Sequence, residues 1–196
     1  MHKIFFLFII CICSVSSAFA QSSNDYNKVE VFGGFSLSHF DDEEVILGRD
    51  LKGFNASITG NISRFVGLKF DFSGHYGKEI NDTGIFFGIK PKTTLYNYLG
   101  GIQFKNNSKE KKVKPFAHFL IGGATVHFKT RSGETPALAI NVNRNDSGFA
   151  LAIGGGLDIR VSERFDIRLV QLDYNPTRFG GETQQNARLG IGILFH

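Results

Sequence analysis

The sequence predicts an all-β fold: an eight-stranded, antiparallel, up-and-down transmembrane β-barrel. The clearest observation is the segment 186–195, in which Leu189, Ile191 and Ile193 alternate with Arg188 and two glycines. In a soluble barrel the large aliphatic side chains would face inward and the arginine would face outward. The opposite arrangement, with aliphatic side chains toward lipid and polar side chains toward a narrow interior, is typical of barrels that cross a membrane.

Segments with the same period-2 alternation recur along the chain, each close to or longer than the roughly 9–11 residues that a tilted membrane strand needs. We count eight of them, at approximately 28–39, 53–62, 66–76, 92–104, 113–127, 147–160, 165–174 and 186–195. Proline cannot donate a hydrogen bond to a strand ladder, and all four prolines lie between these segments or at their starts. The sequence therefore predicts strands throughout.

The predicted connections alternate in length. Those after the odd strands are long, at 40–52, 77–91, 128–146 and 175–185, and those after the even strands are shorter, at 63–65, 105–112 and 161–164. Long loops on one rim and short turns on the other are typical of outer-membrane barrels, whose extracellular loops exceed their periplasmic turns. An even number of strands then places both termini on the periplasmic side.

The first residues have the pattern of a secretory signal. Lys3 supplies a positive charge, residues 4–13 form a short apolar run, and Ala18-Phe19-Ala20 fits a cleavage site. We therefore expect three parts: a cleaved signal at 1–20, a short tail at 21–27 and the barrel domain at 28–196.

Cysteine content and charge exclude some classes of function. Cys11 and Cys13 both lie in the predicted signal, so the mature chain would have no disulfide or thiol chemistry. Removing Lys3 with the signal lowers the net charge from +4 to +3, which is too small and too dispersed to indicate a nucleic-acid partner.

Two predicted hairpins can be given a register. Around the turn 161–164, one face pairs Ile159 with Ile167 and Leu157 with Leu169, and the other pairs Asp158 with Arg168 and Arg160 with Asp166. Around 63–65, the register pairs Ile58 with Phe72, Gly60 with Phe70, and Ile62 with Leu68. The opposite face of the second hairpin is polar, at Asn55, Ser57, Thr59, Asn61, Lys69, Asp71 and Ser73. Each hairpin thus has one apolar and one polar face, as a membrane-spanning register requires.

Extending the polar face to the first and last strands predicts a balanced set of charges in the barrel interior. Its members are Glu30, Asp71, Asp158 and Asp166, with Lys69, Arg160, Arg168 and Arg188. An eight-stranded barrel is just wide enough for side chains to fill it, so we interpret these charges as a structural plug, with a narrow pore as the alternative.

Strands four and five show a weaker alternation. We expect His118 to face inward and Tyr96, Tyr98, Ile102 and Phe104 to face outward. Aromatic residues near the predicted rims would form interfacial girdles, namely Tyr76, Tyr96, Tyr98, Tyr174 and Phe179.

Other kinds of site fit this architecture less well. Ser73 and His75 share one face near the outer rim, as a lipid-modifying enzyme would require, and Ser36, Ser38 and His39 form a second cluster. The spacing supplies no orienting acid, so we favour ordinary structural roles and expect no enzyme. His118 and His127 lack further ligands at metal-binding spacing, and the three glycines at 154–156 lack the pattern of a dinucleotide loop. We expect no cofactor.

The long loops are the expected seat of function, because loops on a rigid scaffold usually carry binding. The first holds four acidic residues, Asp41, Asp42, Glu43 and Glu44, followed by the apolar Val45-Ile46-Leu47. The second holds the apolar triplet Ile85-Phe86-Phe87. These features predict an extracellular ligand or partner but do not identify it.

Several stretches resemble the outer-membrane β-barrel domain family, the group akin to the OmpA transmembrane domain. They are Val29-Glu30-Val31-Phe32-Gly33-Gly34-Phe35-Ser36, the region 53–77 with Asn55-Ala56-Ser57-Ile58 and Asp71-Phe72-Ser73-Gly74-His75-Tyr76-Gly77, Pro115-Phe116-Ala117-His118, and Arg188-Leu189-Gly190-Ile191-Gly192. The resemblance covers essentially the whole mature chain and is architectural rather than catalytic.

The resemblance implies a monomer in the bacterial outer membrane, in contact with lipid and lipopolysaccharide. It also implies assembly by the barrel-assembly machinery, which reads an aromatic residue at the end of the closing strand. This chain departs from that pattern, because His196 follows Phe195. Peptidoglycan binding by two-domain relatives is not carried over. The alternatives within this architecture are a lipid A-modifying enzyme and a narrow pore; a soluble lipocalin-like carrier is a third and weaker one.

Overall fold

The structure is a computed structural model, and it describes residues 25–41, 49–78, 89–132 and 143–196. Nine β-strands account for most of these residues. They are β1 (Val29–Asp41), β2 (Arg49–Asn61), β3 (Val66–Lys78), β4 (Ile89–Lys105), β5 (Val113–Ser132), β6 (Asn143–Arg160), β7 (Phe165–Tyr174), β8 (Thr177–Phe179) and β9 (Glu182–Phe195).

All strands belong to one antiparallel sheet that closes on itself. Each strand from β1 to β7 pairs with the next, and β9 pairs with both β7 and β1. The three-residue β8 continues the course of β7, because it too lies between β6 and β9. The predicted eight-stranded up-and-down barrel is therefore confirmed, with its seventh strand interrupted at 175–176. In the described ranges, no helix has the length and apolar character to cross a membrane.

The two ends of the barrel differ, and we name them by their connections. The turn rim carries the short connections 62–65, 106–112 and 161–164, and the loop rim carries the remaining connections. At the loop rim the strands extend beyond their predicted ends, since β4, β5 and β6 contain 17, 20 and 18 residues. The predicted bounds of the long loops were therefore wrong at their ends: residues 40–41, 49–52, 77–78, 89–91, 128–132 and 143–146 are strand.

The fourth predicted loop, 175–185, is also largely strand. It contains β8 and the start of β9, joined by a tight turn at Gly180 and Gly181 with φ angles of 58° and 98°. Positive φ at both central residues is the requirement of a type I′ hairpin turn, which glycine meets without strain.

The predicted register around 161–164 is correct near the turn. Arg160 pairs with Asp166, Ile159 with Ile167, and Asp158 with Arg168. The predicted pairing of Leu157 with Leu169 is wrong, because the register shifts between Leu157 and Asp158: a bulge in β7 leaves one extra residue there and places Leu157 opposite Val170. A bulge inserts an extra residue and reverses the facing of those beyond it.

The predicted register around 63–65 is wrong by two residues. Ile58 lies opposite Phe70 rather than Phe72, and Gly60 lies opposite Leu68. The Ser63 hydroxyl accepts hydrogen bonds from the amides of Phe65 and Val66, at 3.3 and 3.1 Å, and closes a tighter turn. Because the shift is an even number, every side chain keeps its predicted face.

The outer wall of the barrel is a band of exposed apolar side chains. Every long strand contributes, including Val31, Phe35, Ile58, Phe70, Ile102, Phe119, Ile153, Leu169 and Ile191. Toward the loop rim the band ends in Tyr76, Tyr98 and Tyr174, which are 40–48% exposed, as predicted for a girdle. Phe179 was predicted to belong to this girdle and does not: it is 8% exposed and packs inside the barrel.

Candidate functional site: the barrel interior

One group of ion pairs lies in the interior around Asp158. Its carboxylate accepts two hydrogen bonds from Arg168, at 2.8 and 3.1 Å, and one from Lys105 at 3.1 Å. Lys105 also lies 2.6 Å from Glu30. All four side chains are buried, so each charge depends on its neighbours rather than on water.

A second group of ion pairs surrounds Arg188. This guanidinium donates to Asp173 at 2.8 and 2.6 Å, to Asp71 at 2.8 Å and to the Ser73 hydroxyl at 3.1 Å. Arg188 thus links the closing strand β9 to β3, which is not its neighbour in the sheet order. Charge-assisted hydrogen bonds of this kind are among the stronger hydrogen bonds in proteins.

The two groups are joined by Gln171. It accepts a hydrogen bond from Arg168 at 2.7 Å and donates one to Asp173 at 2.7 Å. Asp173 also lies 2.8 Å from His118, which is 3.2 Å from Lys69. The groups around Asp158 and Arg188 are therefore one connected network.

Aromatic rings close the space around Arg168. Its guanidinium carbon lies 4.3 Å from the centre of the Phe32 ring and 4.0 Å from that of the Phe116 ring. Cations and aromatic faces attract each other at these distances. A charged side chain held between two rings fills the middle of the barrel.

At the turn rim a third ion pair closes the interior. Lys114 donates to Asp166 at 2.7 Å, and the His196 ring lies 3.8 Å from the same carboxylate. The tail beside it is tied down, since the amide of Lys109 donates to the carbonyl of Asp25 at 3.0 Å.

Toward the loop rim the interior becomes apolar. The buried side chains there form one cluster, made of Leu51, Leu95, Leu99, Leu120, Ala124, Val126, Ala150, Ala152 and Phe179. Only polar residues were predicted inside the barrel. The interior instead has a charged layer followed by an apolar layer.

The predicted interior residues lie as follows. Seven are buried and charged: Glu30, Lys69, Asp71, Asp158, Asp166, Arg168 and Arg188. The eighth, Arg160, is only half-buried, and its Nε donates to the carbonyl of Ser162 at 3.2 Å instead of reaching Asp166. Arg160 sits at the end of β6, so its side chain reaches the turn rather than the interior.

Three further charged side chains, which were not predicted to lie inside, are buried: Lys105, Lys114 and Asp173. Lys114 shares its strand face with His118, so the same alternation would have found it. Lys105 was placed in a turn, although its alternation with Phe104 indicated an inward side chain. Asp173 follows the irregularity between Arg168 and Gln171, which reverses the strand face, and no sequence signal marked it.

The structure does not pair the two candidate catalytic residues, Ser73 and His75, with each other. Ser73 and His75 are both 0% exposed, and the Ser73 hydroxyl accepts a hydrogen bond from Arg188. His75 instead lies 2.9 Å from the Ser36 hydroxyl, a pairing across β1 and β3 that spacing could not predict. Both partners of that pair are fully buried and offer no access to a substrate.

The other candidates also take ordinary positions. His39 pairs with Asp50 at 2.8 Å on the outer wall. His118 lies inside the barrel, whereas His127 bonds Asn145 at 2.7 Å outside it. No group of three potential metal ligands occurs among the described residues. The candidate loop segments 42–47 and 85–87 lie outside the described residues.

Taken together, the described interior holds five buried acids and five buried bases. A balanced set satisfies the requirement that buried charges be paired. The arrangement can hold the strands in register and obstruct the axis of the barrel. The interior Ser36, Ser73 and His75 side chains are all buried.

Comparison with known proteins supports this architecture. No protein-family model matches the sequence, and no curated protein is significantly similar to it. Solved structures do match. The attachment invasion locus protein Ail of Yersinia pestis has a TM-score of 0.60 and 17% identity, over 85% of this chain and 97% of that chain. Neisserial surface protein A gives 0.59 and 10%, over 88% and 99%. A major outer membrane protein from Thermus thermophilus gives 0.56 and 7%, over 86% and 99%.

At these identities the likeness shows the fold, and the chain's own surface shows its surroundings. A closed sheet leaves no unpaired edge, and a wall of exposed Phe, Ile, Leu and Val side chains is stable against lipid rather than water. The chain therefore has the fold of the solved eight-stranded outer-membrane β-barrels named above, with an outer wall suited to lipid.

Proposed function

We propose that this protein is a non-conducting, non-catalytic outer-membrane barrel whose interior is a structural plug and whose loop rim carries surface interactions. The observation that carries the proposal is the clamping of Arg168 between Phe32 and Phe116, within a continuous network of ion pairs. A solute would have to break paired, buried charges in order to pass.

The apolar layer on the loop side adds a second obstruction. Leu95, Leu120 and Ala150 are 0% exposed, so the side chains of that layer pack against one another. An ion crossing this layer would lose its hydration without gaining a polar partner. The two layers together favour the plug over the narrow-pore alternative.

In this proposal the rigid wall of strands acts as a scaffold and the loops bind the partners. The strands hold the loop rim above the membrane, and loops on a rigid scaffold are where binding is usually placed. The partners we propose are outer-membrane lipid and lipopolysaccharide around the wall, the barrel-assembly machinery at β9 and an extracellular ligand at the loops. We propose that the barrel acts as a monomer.

Single-channel recording in planar bilayers tests the plug. The wild-type protein should give no discrete conductance steps, whereas the Phe116→Ala/Arg168→Ser variant should leak ions, because it removes both a ring and the cation of the clamp. Mobility on an unboiled gel verifies that each variant is folded. Regular conductance steps from the wild type would refute the plug and support the pore.

A deacylation assay tests the absence of catalysis. Wild type and Ser36→Ala should show the same background release of fatty acid from lipid A, because Ser36 and His75 are sealed inside the barrel. Release above background that disappears in Ser36→Ala would contradict the proposal.

A further inference from the structure

Basic residues stand side by side where strands β3, β4 and β5 approach the loop rim. The sheet register pairs Lys78 with Lys92, and Lys92 with Lys129. Two residues further along, Lys90 pairs with Arg131. Five basic residues thus occupy directly opposed positions on three neighbouring strands, and we call these five the basic row.

The basic row is unfavourable for the protein alone. Like charges directly opposite each other in a sheet are destabilising. Lys92 and Lys129 are exposed, and neither forms an ion pair with another residue of the described ranges. Five of the acids that could have offset them are buried in the interior and already paired. The arrangement is therefore suited to an anion supplied from outside the chain.

A cluster of aromatic and polar side chains lies directly beneath the basic row on the outer wall. The Tyr76 and Tyr96 hydroxyls are 3.0 Å apart, and the Tyr98 hydroxyl lies 2.7 Å from that of Thr125. The His127 ring packs edge-on against Tyr96 at 6.1 Å. Amphipathic rings of this kind concentrate where lipid tails meet headgroups.

The position of this aromatic cluster along the barrel axis indicates which part of the lipid layer lies beside the basic row. Below the cluster the outward positions are apolar, as at Phe72, Ile102 and Ile121, which are 42–50% exposed. Above it come Lys92 and Lys129, which lie further along their strands toward the loop rim. The apolar residues would then lie beside the lipid tails, the tyrosines at the interface and the lysines beside the headgroups. The basic row therefore stands at the headgroups of the leaflet on the loop side.

We propose that Lys92 and Lys129 of the basic row bind the phosphate groups of a phosphorylated lipid in that leaflet. The inference rests on the proposed orientation of the barrel in the outer membrane. We favour a lipid over a soluble polyanion because the exposed lysines stand on the side wall in line with the apolar band. Lysine beside an anionic membrane surface gains about 5-fold in affinity per residue, and the gain is weakened by salt.

A binding titration tests the proposal with bisphosphorylated lipid A as the probe. The folded barrel in neutral detergent is titrated with this lipid carrying a fluorescent acyl chain, and then with the same lipid after its phosphates are removed. The test variant is Lys92→Gln/Lys129→Gln. The control is Lys111→Gln/Lys112→Gln, which removes the same charge from two exposed lysines in the β4–β5 turn at the opposite rim.

The test variant should bind the phosphorylated lipid about 25-fold more weakly than wild type, at about 5-fold per lysine. The control variant should bind like wild type, and the lipid without phosphates should bind all proteins weakly. Lys92→Arg/Lys129→Arg should retain binding, because it keeps both charges. If the double glutamine variant fails to shift on an unboiled gel, Lys92→Gln alone replaces it, with an expected loss of about 5-fold.

Three results would overturn the inference. The first is an equal loss of lipid affinity in the test and control variants. The second is equal binding of the lipid with and without its phosphates. The third is displacement of the bound lipid by a heparin fragment at a concentration below that of the lipid. The last would identify a soluble polyanion as the occupant. Failure of the wild-type barrel to insert into vesicles would instead refute the proposed function, so the two failures are distinguishable.

Discussion

The most direct test of the interior network is the loss of one buried carboxylate. Asp158→Asn changes the shape of the side chain little but removes its charge. In the structure Asp158 accepts three charge-assisted hydrogen bonds, two from Arg168 and one from Lys105. Lys105 keeps Glu30 as a partner, whereas Arg168 keeps only neutral groups: Gln171 and two aromatic rings.

The expected cost follows from those contacts. A hydrogen bond to a charged group contributes about 1.5–3 kcal/mol, and breaking a buried ion pair costs about 3–5 kcal/mol. The asparagine oxygen can still accept one of the three bonds. We therefore expect Asp158→Asn to lower the free energy of unfolding by about 3 kcal/mol. The control Glu163→Gln removes an exposed acid in the neighbouring turn and should change it by less than about 0.5 kcal/mol.

The assay is urea unfolding of the barrel in lipid vesicles, followed by far-ultraviolet circular dichroism. The chain contains no tryptophan, so intrinsic tryptophan fluorescence does not report on it. A double variant, Asp158→Asn/Arg168→Met, should recover part of the loss, because it leaves no unpaired guanidinium. Equal unfolding midpoints for wild type and Asp158→Asn would refute the reasoning, and would mean that water enters the network and screens it.

Two further predictions concern the close packing of the interior at Gly34 and the titration of His196 at the turn rim. Gly34→Ala should destabilise the barrel by about 1–3 kcal/mol in the same urea assay, because the added Cβ would collide with the Ile191 carbonyl and lie 2.7 Å from the Phe32 ring. The control Gly33→Ala should be neutral, because the space around that position is open. Equal effects of the two substitutions on the free energy of unfolding would contradict the prediction. Burial lowers the pKa of His196 below its ordinary 6.5, although Asp166 opposes the shift. The unfolded chain then binds more protons, so stability should fall as pH drops below 6.5. His196→Phe should lose less stability than wild type as the pH is lowered through this range, and an unchanged loss would refute the role of His196.

Much of the fold could be predicted because a membrane imposes one rule on every strand. Large apolar side chains face lipid, so alternation along β9, at Leu189, Ile191 and Ile193, assigns its faces without any knowledge of its neighbours. The same rule placed Asp158 and Arg168 inside and opposite each other. Local turn chemistry could shift the pairing around Ser63 by two residues without disturbing those faces.

The interior was less predictable where the period-2 rule is broken. A bulge in β7 between Arg168 and Gln171 reverses the facing of the residues that follow it, and Asp173 becomes an interior acid. No glycine or proline between these two residues marks the bulge in the sequence. The same limit applies to the pairing of Ser36 with His75, which depends on the closing of the sheet rather than on spacing.

The sequence by itself determined the barrel, its strand number and the faces of most strands, because alternation is a local property that lipid enforces residue by residue. Only the tertiary structure decided the charge pairs between strands that are not neighbours, since Asp71 of β3 meets Arg188 of β9 only after the barrel closes. The registers of neighbouring strands decided where the apolar layer lies and brought Lys78, Lys92 and Lys129 into one row across three strands. These are consequences of register, which is set by turns, bulges and strand ends rather than by the periodicity of any single strand.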